Sequence, residues 1–598
     1  MNAMVLLLVA SVALVLGYAL YGKWLAKQWG LDPSRTTPAY EMADGVDYVA
    51  APSYVVLGHH FSSIAGAGPI NGPIQAAVFG WLPVALWVII GGIFFGAMHD
   101  FGALFASVRH KGQTLAIVVR DNIDGTAKTL FAIFAYSTLV LISAAFASIV
   151  SGTFGVTGVD PVADERNMTT ASISIVYIVV AIVWGFIFRG RKIPGASNIA
   201  LAIVALIVCV TVGMGFHPLA LAPQTWIWIL AGYILVASLA PVWILLQPRD
   251  YLSSYLLYGM IILSFIGIVG AGILGRADMD IPLFSGWAVD NAAVDASGAP
   301  IVGPDGAAVV NSSASVGPLF PVLFVTIACG AISGFHSLVA SGTTSKQIDN
   351  ESHARIIGYG GMLIESLLAI ISLCAVGFAW ASYRAGDFAT PTQVFASGLS
   401  NVLTSVFGEE ARSISYQLLI LAASAFCLTS LDTSTRLARY MFQEMWVPKG
   451  ETIDTVSGWR AVLANRYVAT LVTVAFAIGL GMTGYSVIWP LFGAANQLLA
   501  ALALLAVAAW LGNCGRNNKM FVPPMVFMLL VALTSLAMTI WQKVGLFANG
   551  SFLDQPGGAI GVAVQLAISL MLFVLAIVLA VRGVRTMRSS GARKDKAA

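Results

Sequence analysis

Charge is what this chain most lacks. Only 10% of its 598 residues are Asp, Glu, Lys or Arg, where soluble domains run near a quarter, and that leaves no room for a sizeable soluble domain. The net charge of +3 says little by itself. The basic tail after Arg582 reads as the flank of a last helix, not as a nucleic-acid-binding arm. Cysteine is scarce as well: Cys209, Cys329, Cys374 and Cys427 lie within apolar stretches and Cys514 at a helix end, which excludes a disulfide framework and a CxxC metal pattern. There is no GxxxxGK[ST] run, which excludes a P-loop for direct ATP use. The absence of HExxH, or of a nucleophile with its base, argues against an intramembrane enzyme. No ring-forming filter motif argues for a channel.

What is present is apolar sequence, 58% of the chain. A membrane span needs about 20 such residues, and about fifteen segments qualify. They run near 3–22, 54–75, 79–98, 127–150, 169–188, 195–216, 225–246, 254–274, 318–340, 357–380, 414–434, 461–483, 485–511, 522–542 and 558–581. Residues 3–22 lack a basic start and exceed the apolar length of a signal peptide, so they read as a span. With the N-terminus outside and the C-terminus inside, all but five of the 31 Lys and Arg fall in cytoplasmic segments or helix ends, as the positive-inside rule requires. A miscounted early helix would put the cluster Arg189, Arg191 and Lys192 outside. The segments 275–317 and 381–413 then read as external loops, the second with a short amphipathic stretch. Residues 99–126 read as a short helix on the cytoplasmic face.

Two spans are interrupted. The second carries His59, His60 and a Gly-Ala-Gly-Pro run at 66–69, and the ninth carries SGFHSLVASGTTSK at 333–346. Such breaks survive at membrane depth only where they line a cavity or face protein, and two in matching positions point to a transporter's substrate site. His60-Phe61-Ser62 in one is answered by Phe335-His336-Ser337 in the other. The two spans are seven apart and cross in opposite directions. The fold class expected is therefore all-α and membrane-spanning, a LeuT-like inverted repeat of 5+5 helices with two broken helices. The units expected are 1–53 (first helix and cytoplasmic loop), 54–216 (first repeat) and 217–317 (two bridging helices and external loop). They continue with 318–511 (second repeat) and 512–598 (two peripheral helices and tail).

Eight blocks carry a family resemblance: DGVDYV (44–49), GHHFSSIAGAGPINGP (58–73), GAMHDFGALFASVR (96–109), PVWILLQPRDYLS (241–253), LFPVLFVTIACGAISGFHSLVASGTTSK (319–346), GYGGMLIES (358–366), LTSLDTSTRLARYMFQ (428–443) and WPLFGAANQLLA (489–500). In these blocks, taken in order, the chain resembles the CstA family, the carbon starvation proteins. The resemblance implies uptake of peptides when carbon is scarce. Close relatives described as proton-driven pyruvate importers leave a small carboxylate as the alternative.

Broken helices expose half-helix ends, which can hold a carboxylate or a cation. Gly66, Gly68 and Pro69, with Ser341, Gly342 and Thr343, would supply such ends, or else allow close helix packing. His59, His60 and His336, with Ser62 and Ser337, are candidates for substrate contact or a proton relay. His59 and His60 point about 100° apart on a helix, so an intact helix cannot aim both at one site. A metal set of His59, His60, His336 and Asp100 has no diagnostic spacing, so neither metal nor cofactor is expected. Glu365, roughly 12 Å into its span at 1.5 Å per residue, is the first choice for a proton-carrying carboxylate, with Asp100 and Asp432 behind it. Asp432 and Arg436 are spaced as an i,i+4 helix-end pair, with Arg436 a gate candidate. Arg249 and Asp250 read as a cytoplasmic lock between helices. Asn496 and Gln497 serve either packing or substrate contact.

The reading is a secondary transporter in the cell's inner membrane, driven by protons or sodium, whose partners are a peptide or small-molecule substrate and the lipid bilayer. A membrane nutrient sensor is the rival. The two broken spans are expected side by side and antiparallel; His60 and His336 farther apart than about 25 Å, nearly a full bilayer core, would contradict this.

Overall fold

The computed structural model describes residues 1–44, 48–188, 195–240, 244–295, 298–302, 309–311, 313–447, 455–553 and 558–595. The basic cluster Arg189, Arg191 and Lys192 and parts of the DGVDYV and PVWILLQPRDYLS blocks lie outside them. In chain order, α1 (Ala3–Trp29) precedes a broken pair, α2 (Ser53–Ile64) and α3 (Gly68–Ala76). There follow α4 (Trp81–Arg109), α5 (Gly125–Phe154), α6 (Pro161–Ile187), α7 (Ala200–Gly215), α8 (Pro223–Leu239) and α9 (Pro248–Ile273). Two-residue strands β1 (Ala288–Val289) and β2 (Gly317–Pro318) pair antiparallel before the second broken pair, α10 (Leu319–Thr326) and α11 (Gly334–Gly342). The chain ends with α12 (Arg355–Phe378), α13 (Pro391–Phe407), α14 (Ala411–Met445), α15 (Arg466–Gly481), α16 (Tyr485–Asn513), α17 (Lys519–Ala548) and α18 (Gly558–Gly583).

Among the described residues, ten helices are long and apolar enough to cross a membrane: α1, α4, α5, α6, α9, α12, α14, α16, α17 and α18. Their outer faces carry exposed Val12, Val183, Leu530 and Val574, apolar surface of the kind that lipid covers and water does not. Helix ends follow local chemistry. The Asp124 carboxylate accepts the Ala127 N–H at 2.7 Å to start α5, and Thr390 and Gln393 form a capping box at α13.

Two expectations need correction. The 99–126 segment is not a separate cytoplasmic helix: α4 runs on to Arg109, and only Leu115–Asn122 stands apart. Several of its polar residues find partners inside the protein, with Arg109 bridging both oxygens of Glu351 at 2.7 and 2.6 Å and Ser107 reaching Ser345 at 2.9 Å. Hydropathy alone reads such a helix as surface. The amphipathic stretch near 391–403 is the helix α13, packed against α3, α12 and α14 with most of its side chains buried.

The two broken pairs meet. α2 packs on α11 and α3 on α10, which is an antiparallel arrangement. A Cβ at Gly68 would fall 2.4 Å from Cys329 Cβ, and one at Gly72 would fall 2.8 Å from the Thr326 carbonyl, so only glycine permits this approach. Pro69 sits in the first turn of α3, where its missing N–H has no intrahelical partner to lose. The second gap, 327–333, frees carbonyls and N–H groups that lipid cannot satisfy. α16 satisfies them: Asn496 Oδ1 accepts the Phe335 N–H at 2.9 Å and Asn496 Nδ2 donates to the Ala328 carbonyl at 2.6 Å. Gln497 Nε2 donates to the Phe324 and Ile327 carbonyls at 2.8 and 3.3 Å. Gly493 and Gly334 bring the backbones close enough, since a Cβ on either would fall 2.2 or 2.4 Å from a carbonyl oxygen across the interface.

Asn496→Leu strands one donor and one acceptor at the break. It is expected to destabilise the protein by roughly 1–3 kcal/mol, read as a fall in midpoint in thermal or denaturant unfolding in detergent. A midpoint no lower than that of a lipid-facing control such as Val574→Ala would contradict this role.

Candidate functional site

The pairing of α2 with α11 brings chemistry-bearing side chains into one interior region. His336, on the first turn of α11, places Nδ1 2.7 Å from Asp100 Oδ2 on α4. The other Asp100 oxygen lies 2.7 Å from His99 Nδ1. Against a carboxylate each imidazole nitrogen is the donor, so Asp100 is held between two histidines. On its far side His336 Nε2 approaches Glu365 Oε2 of α12 to 3.2 Å. The angles there do not make a hydrogen bond, and His336 Nε2 and both Glu365 oxygens are buried without one. Cys329 Sγ, a ring nitrogen of His336 and a Glu365 oxygen all lie within 4.8 Å of one another. His60 hydrogen-bonds the Thr344 hydroxyl through Nδ1 at 2.9 Å, and its ring faces Gly361, one turn before Glu365. His60, Asp100, His336 and Glu365 are each 0% exposed, so this state is sealed.

A second polar cluster lies beside the first. Arg249 on α9 is buried, with Asp250 Oδ1 3.0 Å from Nη2 and the Asp432 carboxylate of α14 against Nη1. Tyr233 of α8 joins them, donating to Asp432 Oδ2 at 2.8 Å and accepting from Arg249 Nη1 at 2.7 Å. His59 Nδ1 lies 3.6 Å from Asp250 Oδ2. The adjacent histidines therefore divide, His60 to Thr344 and the Gly361 turn of α12 and His59 to the arginine cluster, as their separation on an intact helix dictates.

Several candidates take different partners from those their spacing suggests. Asp432 pairs with Arg249, not with Arg436 one turn away. Arg436 Nη2 donates to the Ala237 and Ala240 carbonyls at 2.6 and 2.8 Å, and Arg439 reaches the Ser238 carbonyl at 2.7 Å. Both cap the C-terminal end of α8, where cations are favoured. The hydroxyls of Ser62, Ser337, Ser341 and Thr343 donate to carbonyls of their own helices at 2.7–3.0 Å. Gly66 lies where a Cβ would meet Ser430 Oγ at 2.4 Å and the Phe146 ring at 3.1 Å, which brings α5 and α14 to the first break. Asn496 and Gln497 spend their amides on the second. Cys329 and Tyr233 are participants that sequence spacing missed, because Glu365 and Asp432 lie on distant helices, whereas His99 pairs with its own neighbour Asp100.

Asp432→Asn leaves Arg249 short of one buried counter-charge, a change that costs about 3–5 kcal/mol when a buried pair is broken. The double variant Arg249→Met/Asp432→Leu, with both charges gone, is expected to recover part of that loss in thermal unfolding. Losses that simply add would contradict the pairing.

The carbon starvation protein CstA family model matches residues 2–385 and 378–535. The chain is 32% identical to the peptide transporter CstA of Campylobacter jejuni, over 88% of this chain and 79% of that protein. It is also 32% identical to the peptide transporter CstA of Escherichia coli K12, covering 90% and 80%. The pyruvate/proton symporter BtsT of Escherichia coli K12 is 30% identical, over 90% of this chain and 81% of its own length. Among solved structures, a manganese transporter of Eremococcus coleocola is similar at 13% identity, 92% and 99% coverage and a TM-score of 0.46, so the architecture rests on the contacts above. The chain belongs to the carbon starvation protein CstA family.

Proposed function

We propose that this protein is a secondary active transporter that imports peptides across the cytoplasmic (inner) membrane, coupled to protons. The observation that carries the reading is the meeting of two broken helices, antiparallel, at a buried imidazole–carboxylate chain. Ionisable groups at membrane depth are expensive and mark transport paths and proton relays. Glu365, His336, Asp100 and His99 lie in series, with both histidines hydrogen-bonded to Asp100 and a 3.2 Å contact between His336 and Glu365 that a proton on either group would turn into a hydrogen bond. Arg249, Asp250, Asp432 and Tyr233, tied to α2 through His59, form the gate whose charges must exchange partners when α2 moves.

The finer architecture belongs to the same reading. The ten long helices, the shorter α7, α8 and α15, and the two broken pairs together make fifteen passes. Residues 54–216 and 318–511 act as inverted five-helix units, bridged by α8 and α9, with the N-terminus outside and the C-terminus inside. A small-carboxylate symport is the second reading, favoured by the similarity to a pyruvate/proton symporter.

A substrate panel in proteoliposomes separates these readings. Labelled dipeptides are expected to accumulate under an imposed pH gradient and not under sodium alone. Accumulation of pyruvate in their place favours the second reading, and absence of counterflow with either would reduce the protein to a sensor. Glu365→Gln preserves shape and hydrogen bonding but cannot carry a proton. It is expected to retain counterflow and to lose accumulation above equilibrium. Accumulation equal to the parent's would remove Glu365 from the coupling step.

A further inference from the structure

We propose that Cys329, His336 and Glu365 form a binding site for one divalent cation of the zinc class, which clamps the second helix break to α12. This goes beyond the transport reading and does not depend on it. Three observations converge. First, His336 Nδ1 is committed to Asp100 at 2.7 Å, so the lone pair of a neutral Nε2 faces the Glu365 carboxylate at 3.2 Å. Two acceptors at that distance repel unless a cation lies between them, and neither has a hydrogen-bond partner. Two ligands each about 2.0–2.1 Å from a zinc ion, across a tetrahedral angle, are themselves about 3.3 Å apart.

Second, a proton alone could neutralise that contact, but it has no use for the third group. Cys329 Sγ lies within 4.8 Å of the other two ligand atoms. It is held there by Ser333 Oγ at 3.4 Å, with Asn496 Nδ2 3.9 Å away. A mixed sulfur, nitrogen and oxygen set suits a borderline metal and not magnesium or calcium. The second Glu365 oxygen, also without a partner, can complete the fourth position. A thiolate and a carboxylate balance the charge of a divalent ion, which suits a site that is 0–4% exposed.

Third, the outer shell is in place. A metal-bound histidine nearly always donates its other N–H to a carboxylate or carbonyl, which fixes the ring; Asp100 does this for His336, and His99 in turn holds Asp100. Cys329 and His336 lie on opposite sides of the turn at 330–333, so a shared ion would tie both to α12. Once bound, the ion holds the break against α12.

The test uses the purified full-length protein, stripped with chelator and then titrated with Zn²⁺. One equivalent per chain is expected, with an X-ray absorption spectrum showing one sulfur scatterer near 2.3 Å and nitrogen or oxygen scatterers near 2.0–2.1 Å, roughly the usual zinc distances. Cys329→Ser is expected to remove the sulfur scatterer, and Asp100→Asn to weaken binding on the order of 10–100-fold. Spectra of the parent protein keep the test decisive even if a variant fails to fold. A parent that binds no zinc, or binds it through nitrogen and oxygen alone, would overturn the site. Either result leaves proton coupling to be judged by accumulation in proteoliposomes.

Discussion

The constraint on which the rest depends is the backbone left unpaired where a helix stops inside an apolar environment. Water cannot reach those groups, so the protein must supply every partner. At the second break the partners are two consecutive amide side chains of one helix, Asn496 and Gln497. Glycines on both sides permit the contact, so the packing of α16 against α10 and α11 is a hydrogen-bonding requirement as much as an apolar one. At the first break the chain closes on itself through Gly68 and Pro69 and rests directly on Cys329. The breaks thus support one another, and residues beside either inherit the geometry of both.

Buried charge is the second consequence. Once the breaks are fixed, His336 lies against Asp100 and Glu365 with Cys329 beside them, and Arg249 lies against Asp250, Asp432 and Tyr233. A buried pair contributes little net stability, but removal of one member is severe, so each cluster strongly favours one arrangement of helices. The neighbouring histidines of α2 belong to different clusters. A small rotation or unwinding of α2 therefore disturbs the surroundings of both at once, so that under the proposed transport reading the coupling chain and the gate would share a moving part.

Much of this was legible in the sequence, and the failures share one cause. The breaks could be read from Gly, Pro and Ser interruptions because helix geometry is local. Glu365, His336 and Arg249 stood out because charge and imidazole are rare in apolar spans. Partners are a different matter: spacing pairs Asp432 with Arg436 four residues away, yet its partner Arg249 lies 183 residues distant. Asp100 was placed on a surface helix because its segment is polar, and only the fold reveals that His99 and His336 neutralise that polarity from inside. Cys329 carried no signal, since a thiol in an apolar span ordinarily packs as a small hydrophobe. The fifteen-segment count rested on hydropathy windows, which cannot distinguish a full pass from a short or broken one.

The central claim is that the paired breaks are both the sealed core of this state and the part that opens during transport. Cys329 reports on it directly, being 4% exposed and pressed against Gly68. With Cys209, Cys374, Cys427 and Cys514 replaced and divalent metal removed by chelator, a membrane-impermeant maleimide should label Cys329 very slowly in resting proteoliposomes. Labelling should accelerate when substrate and a pH gradient are both supplied. A Cys329 that stays equally inert while the same vesicles accumulate substrate would contradict the account.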